Sequence, residues 1–499
     1  MTQFVLILAI VLYFLVLVFI GIFSRKESDS VDGYYAAGKK LRYWIVSFST
    51  NATGESSWLL LGLTGMGYVF GVHAFWVVVG EVLGVAFAWI FMARRFKVYT
   101  DKYNSITVPD FLEDRFNDTR HIMRVISAII LLPMVTSYVA AQLMASGKAF
   151  KAFLGIDYVT GIIIGLIIIL FYTVIGGITA VARADFFHGL LMLMGLIALP
   201  IVAIVHCGGF GPMVASLKSI DPNLLKLAGP TGFNTIGIIS IIGFLGVGLA
   251  FMGSPQLFVR YLAARDQKEL IYGKYVAILF IIIVDTGAVL TGMAGRVLFT
   301  SLKDQEDILP TIALELFPAL FTGLFIAIVL AAIISTVDSL LILLSSSIIR
   351  DVYQKVFRPD APQKRLVFMG KIITVIVGIA AFWFSISETR LIFWFVLFAW
   401  AGIGAAFCPV MILSLFWKKM TKAGAIAGMC SGFLITMIWA IFFKSSTNLY
   451  EMVPGFFGGI IIIVLVSLFT QPPQKAAQDF ESVSETVKKY KVQNPKIKG

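Results

Sequence analysis

Oxygen-bearing residues recur at helical spacing inside one of the apolar stretches of this chain. Ala332, Ser335 and Thr336 follow the spacing i, i+3, i+4, which places them on one face of a helix. Two hydroxyl groups and a backbone carbonyl are hard oxygen donors, and a hard cation such as Na⁺ takes ligands of this kind. Hydroxyl groups in membrane helices also bond back to their own backbone, so the spacing by itself is compatible with a plain helix as well.

Carboxylates within apolar stretches are a stronger signal, because an ionised group at membrane depth is costly unless it is paired or functional. Asp338 lies just beyond the oxygen-bearing face, and nothing in the surrounding sequence gives it a structural role. Asp185 opens an apolar stretch, where it either caps the start of a helix or serves in function.

Other acids have simpler interpretations. Asp285 is expected to pair with Arg296 or with another neighbour, whereas Glu81 and Glu315 lie nearer the ends of apolar stretches and are expected to face water. The sequence shows no nucleophile–base pair and no cluster of metal ligands within these stretches. It therefore predicts that the protein is not an enzyme, with no cofactor and no metal beyond sodium.

The composition indicates a membrane protein. Hydrophobic residues make up 59% of the 499 residues and charged residues 14%, against about 25% charged in a soluble domain. Apolar runs of about 20 residues, each long enough to cross a bilayer as a helix, recur along the chain. They predict an all-α transmembrane domain over residues 1–471, with thirteen spans: 3–23, 43–69, 73–93, 122–152, 157–178, 186–206, 235–263, 272–299, 311–349, 368–387, 391–416, 422–443 and 450–470.

The positive charges orient these spans. With the N-terminus outside and the C-terminus inside, 32 of the 40 lysines and arginines fall in inner segments. The net charge of +12 is thereby explained by membrane topology, without a nucleic-acid partner. We expect a multi-pass protein of the cell (inner or plasma) membrane, in contact with the lipid bilayer, and a mobile polar cytoplasmic tail over 472–499.

Two spans are interrupted at membrane depth. The second contains the polar run Ser49–Ser57, and the seventh contains several glycines followed by Ser254 and Pro255. Irregular backbone inside a bilayer needs protein or water to supply its hydrogen bonds, although glycine-rich seams also serve close helix packing. Paired interruptions five spans apart are typical of inverted-repeat transporters whose site lies at the breaks.

These motifs resemble the sodium:solute symporter family, and within it the sodium/proline symporters. The likeness runs nearly end to end and is carried by runs in the second, fifth, ninth, eleventh and thirteenth spans: Ser56–Leu63, Tyr172–Gly177, Ser335-Thr336, Ala399–Phe407 and Leu449–Phe456. The resemblance implies a LeuT-type fold, in which spans 2–6 and 7–11 form two inverted five-helix repeats.

The resemblance also implies where ions and solute bind. One sodium ion would lie between the broken second span and the ninth, held by the carbonyl oxygens of Ala52, Glu55 and Ala332 and the hydroxyl groups of Ser335 and Thr336. The substrate would lie at the breaks, near Ser56, Ser57, Tyr138, Phe251 and Pro255. A possible second cation would be held by Asp185, Asp338 and Ser339.

The chain departs from the family pattern at three places. Gly54 stands where the proline symporters carry an aspartate tied to sodium use, and Glu55 follows it; Glu55 either takes over that role or does not. Val247 and Phe251 replace a tryptophan and a tyrosine of the substrate motif, and Asp338 replaces a serine. The predicted function is sodium-coupled import of proline or another small amino acid by alternating access. The alternatives are a proton-coupled transporter of a different small solute, through Glu55 or the Asp185/Asp338 pair, and a transporter-like solute sensor.

Overall fold

The structure, a computed structural model, describes residues 2–24, 30–387 and 391–493, and these residues are almost wholly helical. Met1, residues 25–29 and 388–390, and the predicted tail end 494–499 lie outside the described residues. The helices of the first half are α1 (Thr2–Ser24), α2 (Val31–Ala36), α3 (Tyr43–Gly54), α4 (Thr64–Phe70), α5 (Phe75–Phe87), α6 (Ala93–Tyr103), α7 (Val108–Phe116), α8 (Ile122–Leu154), α9 (Tyr158–His206) and α10 (Phe210–Ile220).

The second half continues the same pattern. Its helices are α11 (Thr235–Leu245), α12 (Pro255–Ala263), α13 (Gln267–Leu298), α14 (Ile308–Leu316), α15 (Ala319–Ser346), α16 (Gln363–Ser385), α17 (Ile392–Phe416), α18 (Lys422–Ile438), α19 (Lys444–Thr447), α20 (Met452–Leu468) and α21 (Gln474–Gln493). Wider π-helical turns extend several of them, over Trp58–Leu63, Ala88–Met92, Ser347–Phe357 and Trp439–Phe443.

The second and seventh spans are both broken, as the sequence predicts. The second span stops at Gly54 and resumes as a π-helical turn at Trp58. The seventh tightens into a 3₁₀-helical segment, Gly246–Met252, and restarts at Pro255, the first residue of α12. Proline suits that position because the first turn of a helix has no partner for its N–H groups.

Two glycines with left-handed backbone reverse the chain between spans. Gly71 (φ 56°, ψ −130°) separates α4 from α5, and a Cβ atom there would lie 2.1 Å from the Leu224 carbonyl oxygen. Gly177 (φ 55°, ψ −170°) breaks α9 into the predicted fifth and sixth spans. Only glycine adopts such angles without strain.

The predicted spans agree with helices, although their count is approximate. Ten helical stretches of the described residues are long and apolar enough to cross a membrane, and two further apolar helices are shorter, Tyr158–Phe171 and Met452–Leu468. One of the ten, 58–103, contains the reversal at Gly71, so it holds parts of two predicted spans. The number thirteen therefore depends on how broken helices are counted.

Asp185 does not cap a helix. The sixth span begins directly after Gly177, so Asp185 lies within the helix and is fully buried. The interpretation of this residue as an N-cap is wrong, because the predicted loop between the fifth and sixth spans is reduced to one glycine.

The tail is ordered where the structure describes it. α21 packs on the face formed by α6 and α7, with Ala476 and Val483 buried, and Arg115 donates a hydrogen bond of 2.8 Å to the Ala476 carbonyl. Burial alone would raise the pKa of the Asp479 carboxyl, but hydrogen bonds from Lys102 and Tyr103 outweigh it and hold the pKa below its usual value. The expectation of a mobile tail is thus wrong for 474–493.

Close backbone contact holds α5 against the seventh span. A Cβ atom on Gly84 would lie 2.0 Å from the carbonyl oxygen of Gly248, and one on Gly80 would lie 2.4 Å from that of Leu245. Small residues at such seams allow helices to approach closely inside a bilayer.

We predict that Gly84→Ala destabilises the protein, since the added methyl group meets backbone that cannot move aside locally. Overpacking of this kind costs about 1–3 kcal/mol, and it should lower the midpoint of thermal unfolding in detergent. Gly211→Ala on α10 is the matched control, because no heavy atom lies within 4 Å of that position. Equal midpoints for the two variants would contradict the packing argument.

Candidate cation and substrate sites

The break in the second span leaves carbonyl oxygens without helical partners. α3 ends at Gly54, so the carbonyls of Ala52 and Thr53 fall in its last turn, where no further N–H group of the helix follows. Both accept hydrogen bonds from α15: Ser335 donates to Ala52 at 2.8 Å and Thr336 donates to Thr53 at 3.1 Å. These hydrogen bonds join the broken second span to the ninth span, which is distant in sequence.

The same hydroxyl groups also reach a carbonyl of their own helix. Ser335 Oγ lies 3.1 Å, and Thr336 Oγ1 3.3 Å, from the carbonyl oxygen of Ala332. Five oxygens, from Ala52, Thr53, Ala332, Ser335 and Thr336, therefore form one buried group, which we call the oxygen cradle. Hard oxygen atoms at this number and spacing suit a hard cation.

Four of the five predicted sodium ligands lie in the oxygen cradle. The fifth, the carbonyl of Glu55, is not among the oxygens that Ser335 and Thr336 contact, and the carbonyl of Thr53 stands in that place. Glu55 instead follows the last residue of α3: its N–H donates a hydrogen bond to the Asn51 carbonyl at 2.7 Å, and its backbone then leaves the helix. Sodium binding in the cradle stays a prediction.

Next to the oxygen cradle is a charged network around Asp185. Its Oδ2 atom accepts hydrogen bonds from Ser49 (2.6 Å) and from the guanidinium of Arg260 (3.2 Å). Arg260 also donates to Ser339, which in turn donates to the carbonyl of Ser335 at 2.7 Å. All of these groups are buried.

The network contains the three residues predicted for a second cation. Ser339 contacts Asp338 Oδ1 at 3.2 Å, and Asp185 and Asp338 are close enough to interact electrostatically. Arg260 is buried and already supplies one positive charge beside Asp185. A cation bound here would share the carboxylates with that guanidinium.

The predicted substrate residues lie on the other side of the break. Gln142 of α8 accepts a hydrogen bond from the Ser57 N–H (3.2 Å) and donates to the Ser56 hydroxyl (3.0 Å). The phenol of Tyr138 lies beside Ser56. Sequence reasoning missed Gln142. It lies one helical turn after Tyr138 and therefore shares the face of α8 that meets the break. That spacing from Tyr138 is the signal that could have identified it.

Aromatic rings close this region towards the seventh span. Trp400 lies edge-on to both Phe251 and Tyr138, with ring centroids 5.0 Å and 6.3 Å apart, and its indole N–H donates to the Val247 carbonyl at 3.1 Å. A Cβ atom on Gly54 would lie 2.7 Å from the Phe251 ring. The missing acid at position 54 thus leaves the space that the Phe251 ring fills.

Pro255 lies apart from this group. It lines a small cavity of about 20 Å³ with Tyr35, Thr107 and Ser339, on the side of the break that faces the charged network. A larger cavity of about 510 Å³ leads from the other end of the molecule, between His73, Lys444 and Tyr450, down to Val247. It ends where Trp400 holds the Val247 backbone.

Comparison with known proteins identifies the family. The model of the sodium:solute symporter family matches residues 34–432. The chain belongs to this family. It is therefore a multi-pass membrane transporter that moves a solute together with a cation, and the predictions of a symporter and against an enzyme are confirmed.

Curated relatives cover nearly the whole chain. The high-affinity proline transporter PutP of Bacillus subtilis is 38% identical over 474 residues, which is 94% of this chain and 99% of the relative. The osmoregulated proline transporter OpuE of the same organism is 32% identical over 491 residues, covering 97% and 99%.

Solved structures share the fold. A Na⁺-coupled sialic acid symporter in a substrate-bound outward-open state aligns with a TM-score of 0.81 at 20% identity, over 94% of this chain and 98% of that one. The structure of MhsT in complex with L-phenylalanine aligns with a TM-score of 0.52 at 14% identity, over 87% of this chain and 98% of that one. The predicted LeuT-type fold is thus confirmed.

We predict that Asp185→Asn strongly destabilises the symporter, because the buried guanidinium of Arg260 would lose the carboxylate that it contacts directly. Breaking a buried pair costs about 3–5 kcal/mol, which thermal unfolding in detergent would detect. The double variant Asp185→Asn with Arg260→Gln should regain part of the loss, and Asp360→Asn, at an exposed acid, should leave the midpoint unchanged. A single variant as stable as Asp360→Asn would contradict the pairing.

Proposed function

We propose that this symporter imports proline together with Na⁺, by alternating access from the outer face of the cell membrane. The near full-length likeness to two proline transporters supports the solute. The oxygen cradle supports the ion, since it offers five hard oxygens at the break of the second span and none of them is a titratable group.

Sodium and solute would act on one segment of backbone. Ala52 and Thr53 supply carbonyls to the oxygen cradle, and Ser56 and Ser57, a few residues later, face the substrate region. Na⁺ between α3 and α15 would fix the end of α3 and thereby position the residues that receive the solute. Binding of one would favour binding of the other, which is the linkage that coupled transport requires.

The half-helix after the break suits the carboxylate of an amino acid. Its first N–H groups point away from the helix and favour a negative charge. In this structure Gln142 accepts from the Ser57 N–H, so a carboxylate arriving there would displace an amide oxygen. The cavity of about 510 Å³ that ends at Val247 would be the route from outside, with the Phe251 and Trp400 rings as the apolar floor for a pyrrolidine ring.

Uptake into proteoliposomes tests the proposal. With purified protein and radiolabelled proline, an inward Na⁺ gradient should drive accumulation, and an imposed proton gradient without Na⁺ should not. Unlabelled proline should compete with radiolabelled proline for uptake, and an amino acid whose shape differs from that of proline should compete poorly. Accumulation driven by protons alone would contradict sodium coupling, and lack of competition by proline would contradict the solute.

We predict that Ser335→Ala with Thr336→Ala raises the Na⁺ concentration for half-maximal uptake by about tenfold or more, because two oxygen ligands worth about 1 kcal/mol each are removed. Thr136→Ala is the matched control, since the Thr136 hydroxyl donates within its own helix to Leu132. An unchanged Na⁺ dependence in the double variant, at normal expression, would contradict the oxygen cradle as the sodium site.

A further inference from the structure

Three carboxylates from three separate helical elements meet beside the break. Glu55 stands at the end of α3, Glu81 lies on α5 and Asp285 lies on α13. One oxygen of each lies within 4.8 Å of the others, and all three residues are fully buried. We call this group the carboxylate triad.

Nothing in the described part of the chain compensates the triad. No other described residue donates a hydrogen bond to the six carboxylate oxygens, and the Glu81 carboxyl lies within hydrogen-bond reach of those of Glu55 and Asp285. Arg296, expected to pair with Asp285, donates instead to Tyr68 (3.1 Å). Three negative charges at this depth would repel one another and lose their hydration, so the triad needs compensating positive charge, from a cation or from protons.

A fourth hard oxygen faces the same interface independently. Asn51 precedes Glu55 by one helical turn, so both lie on the face of α3 that meets α13. Its amide nitrogen donates to the Ala277 carbonyl of α13 at 2.8 Å, which leaves the amide oxygen buried and without a partner. A buried amide oxygen without a donor is able to act as a ligand of a hard cation.

We propose that Glu55, Glu81 and Asp285, with the amide oxygen of Asn51, form a binding site for a hard divalent cation of the size of Ca²⁺. Calcium binds oxygens at about 2.4 Å, so two ligands of one shell lie no more than about 4.8 Å apart. The three triad oxygens, each within 4.8 Å of the others, meet that limit. A double positive charge offsets two of the three carboxylates, whereas Na⁺ would leave two charges uncompensated.

This site is distinct from the oxygen cradle. The cradle joins α3 to α15, while the triad joins α3 to α5 and α13. Bound Ca²⁺ would fix the end of α3 from the opposite side, next to the carbonyls of Ala52 and Thr53. The carboxylates are closed off in this conformation, so the ion would exchange slowly.

The test uses purified full-length protein and does not depend on transport. Metal content is measured by mass spectrometry as purified, and binding of radioactive Ca²⁺ is measured after treatment with EDTA. Wild-type protein should bind Ca²⁺ stoichiometrically, with a higher thermal midpoint when Ca²⁺ is present. Glu81→Gln and Asp285→Asn should each lower the affinity by at least about tenfold, since even the loss of a group that only orients a metal ligand costs about 10–100-fold.

Controls place the ion at the triad. Glu315→Gln, at an exposed acid of α14, should bind Ca²⁺ like the wild type. If Glu81→Gln fails to fold, Ca²⁺ binding by Asp285→Asn still tests the site. Competition of Mg²⁺ and Na⁺ with Ca²⁺ for the wild-type protein tests the identity of the ion.

Three results would overturn the proposal. They are no Ca²⁺ binding by the wild type, equal binding by Glu81→Gln and Asp285→Asn, and displacement of Ca²⁺ by equimolar Na⁺. If the wild type binds no Ca²⁺, infrared spectra show what occupies the triad instead. A carboxylic-acid C=O band that Ca²⁺ does not affect and that Glu81→Gln removes would assign protons to the triad in place of a metal. Loss of sodium-driven proline uptake with Ca²⁺ binding intact would count against the proposed function alone.

Discussion

A helix that stops in the middle of a bilayer must find hydrogen-bond partners within the protein. The end of α3 leaves carbonyl oxygens at a depth where neither water nor lipid supplies a donor. The hydroxyl groups of Ser335 and Thr336 meet that need, and the position of α15 against α3 follows from it. The same arrangement makes the break suitable for a cation, because a cation can replace the hydroxyl protons as the positive partner of these oxygens. The same contact between α3 and α15 thus satisfies the broken helix and forms the proposed ion site.

Charge compensation imposes a second constraint of the same kind. On one side of the break, Arg260 and Asp185 neutralise each other and engage Ser49 and Ser339. On the other side, Glu55, Glu81 and Asp285 have no basic partner among the described residues. Buried charge is tolerated only when it is paired. The two sides therefore differ in a way that matters for ion binding. One contains a guanidinium cation, and the other has no cationic side chain among the described residues to offset its carboxylates.

Close helix packing allows these polar groups to meet. Gly84 and Gly248 bring the backbones of α5 and the seventh span into contact, and Gly67 and Gly292 do the same for α4 and α13. Side chains at these crossings would hold the helices apart and separate Glu81 from Glu55 and Asp285. Gly54 has a similar part in the substrate region, where the absence of a side chain leaves room for the Phe251 ring. The two departures from the family pattern, at Gly54 and at Phe251, are thus coupled, because the two residues are in direct contact.

The sequence by itself determined the features that depend on neighbours along the chain. Apolar runs located the spans, polar and glycine-rich runs located both breaks, and i, i+3, i+4 spacing put Ala332, Ser335 and Thr336 on one face. Only the tertiary structure decided which residues from distant spans meet. It placed Thr53 rather than Glu55 beside Thr336, buried Arg260 against Asp185, and turned Glu55 towards Glu81 and Asp285. The physical reason is that periodicity determines only the face of a helix on which a residue lies. The residue that it contacts depends on which helices cross there, and no local sequence pattern determines how the helices are arranged in space.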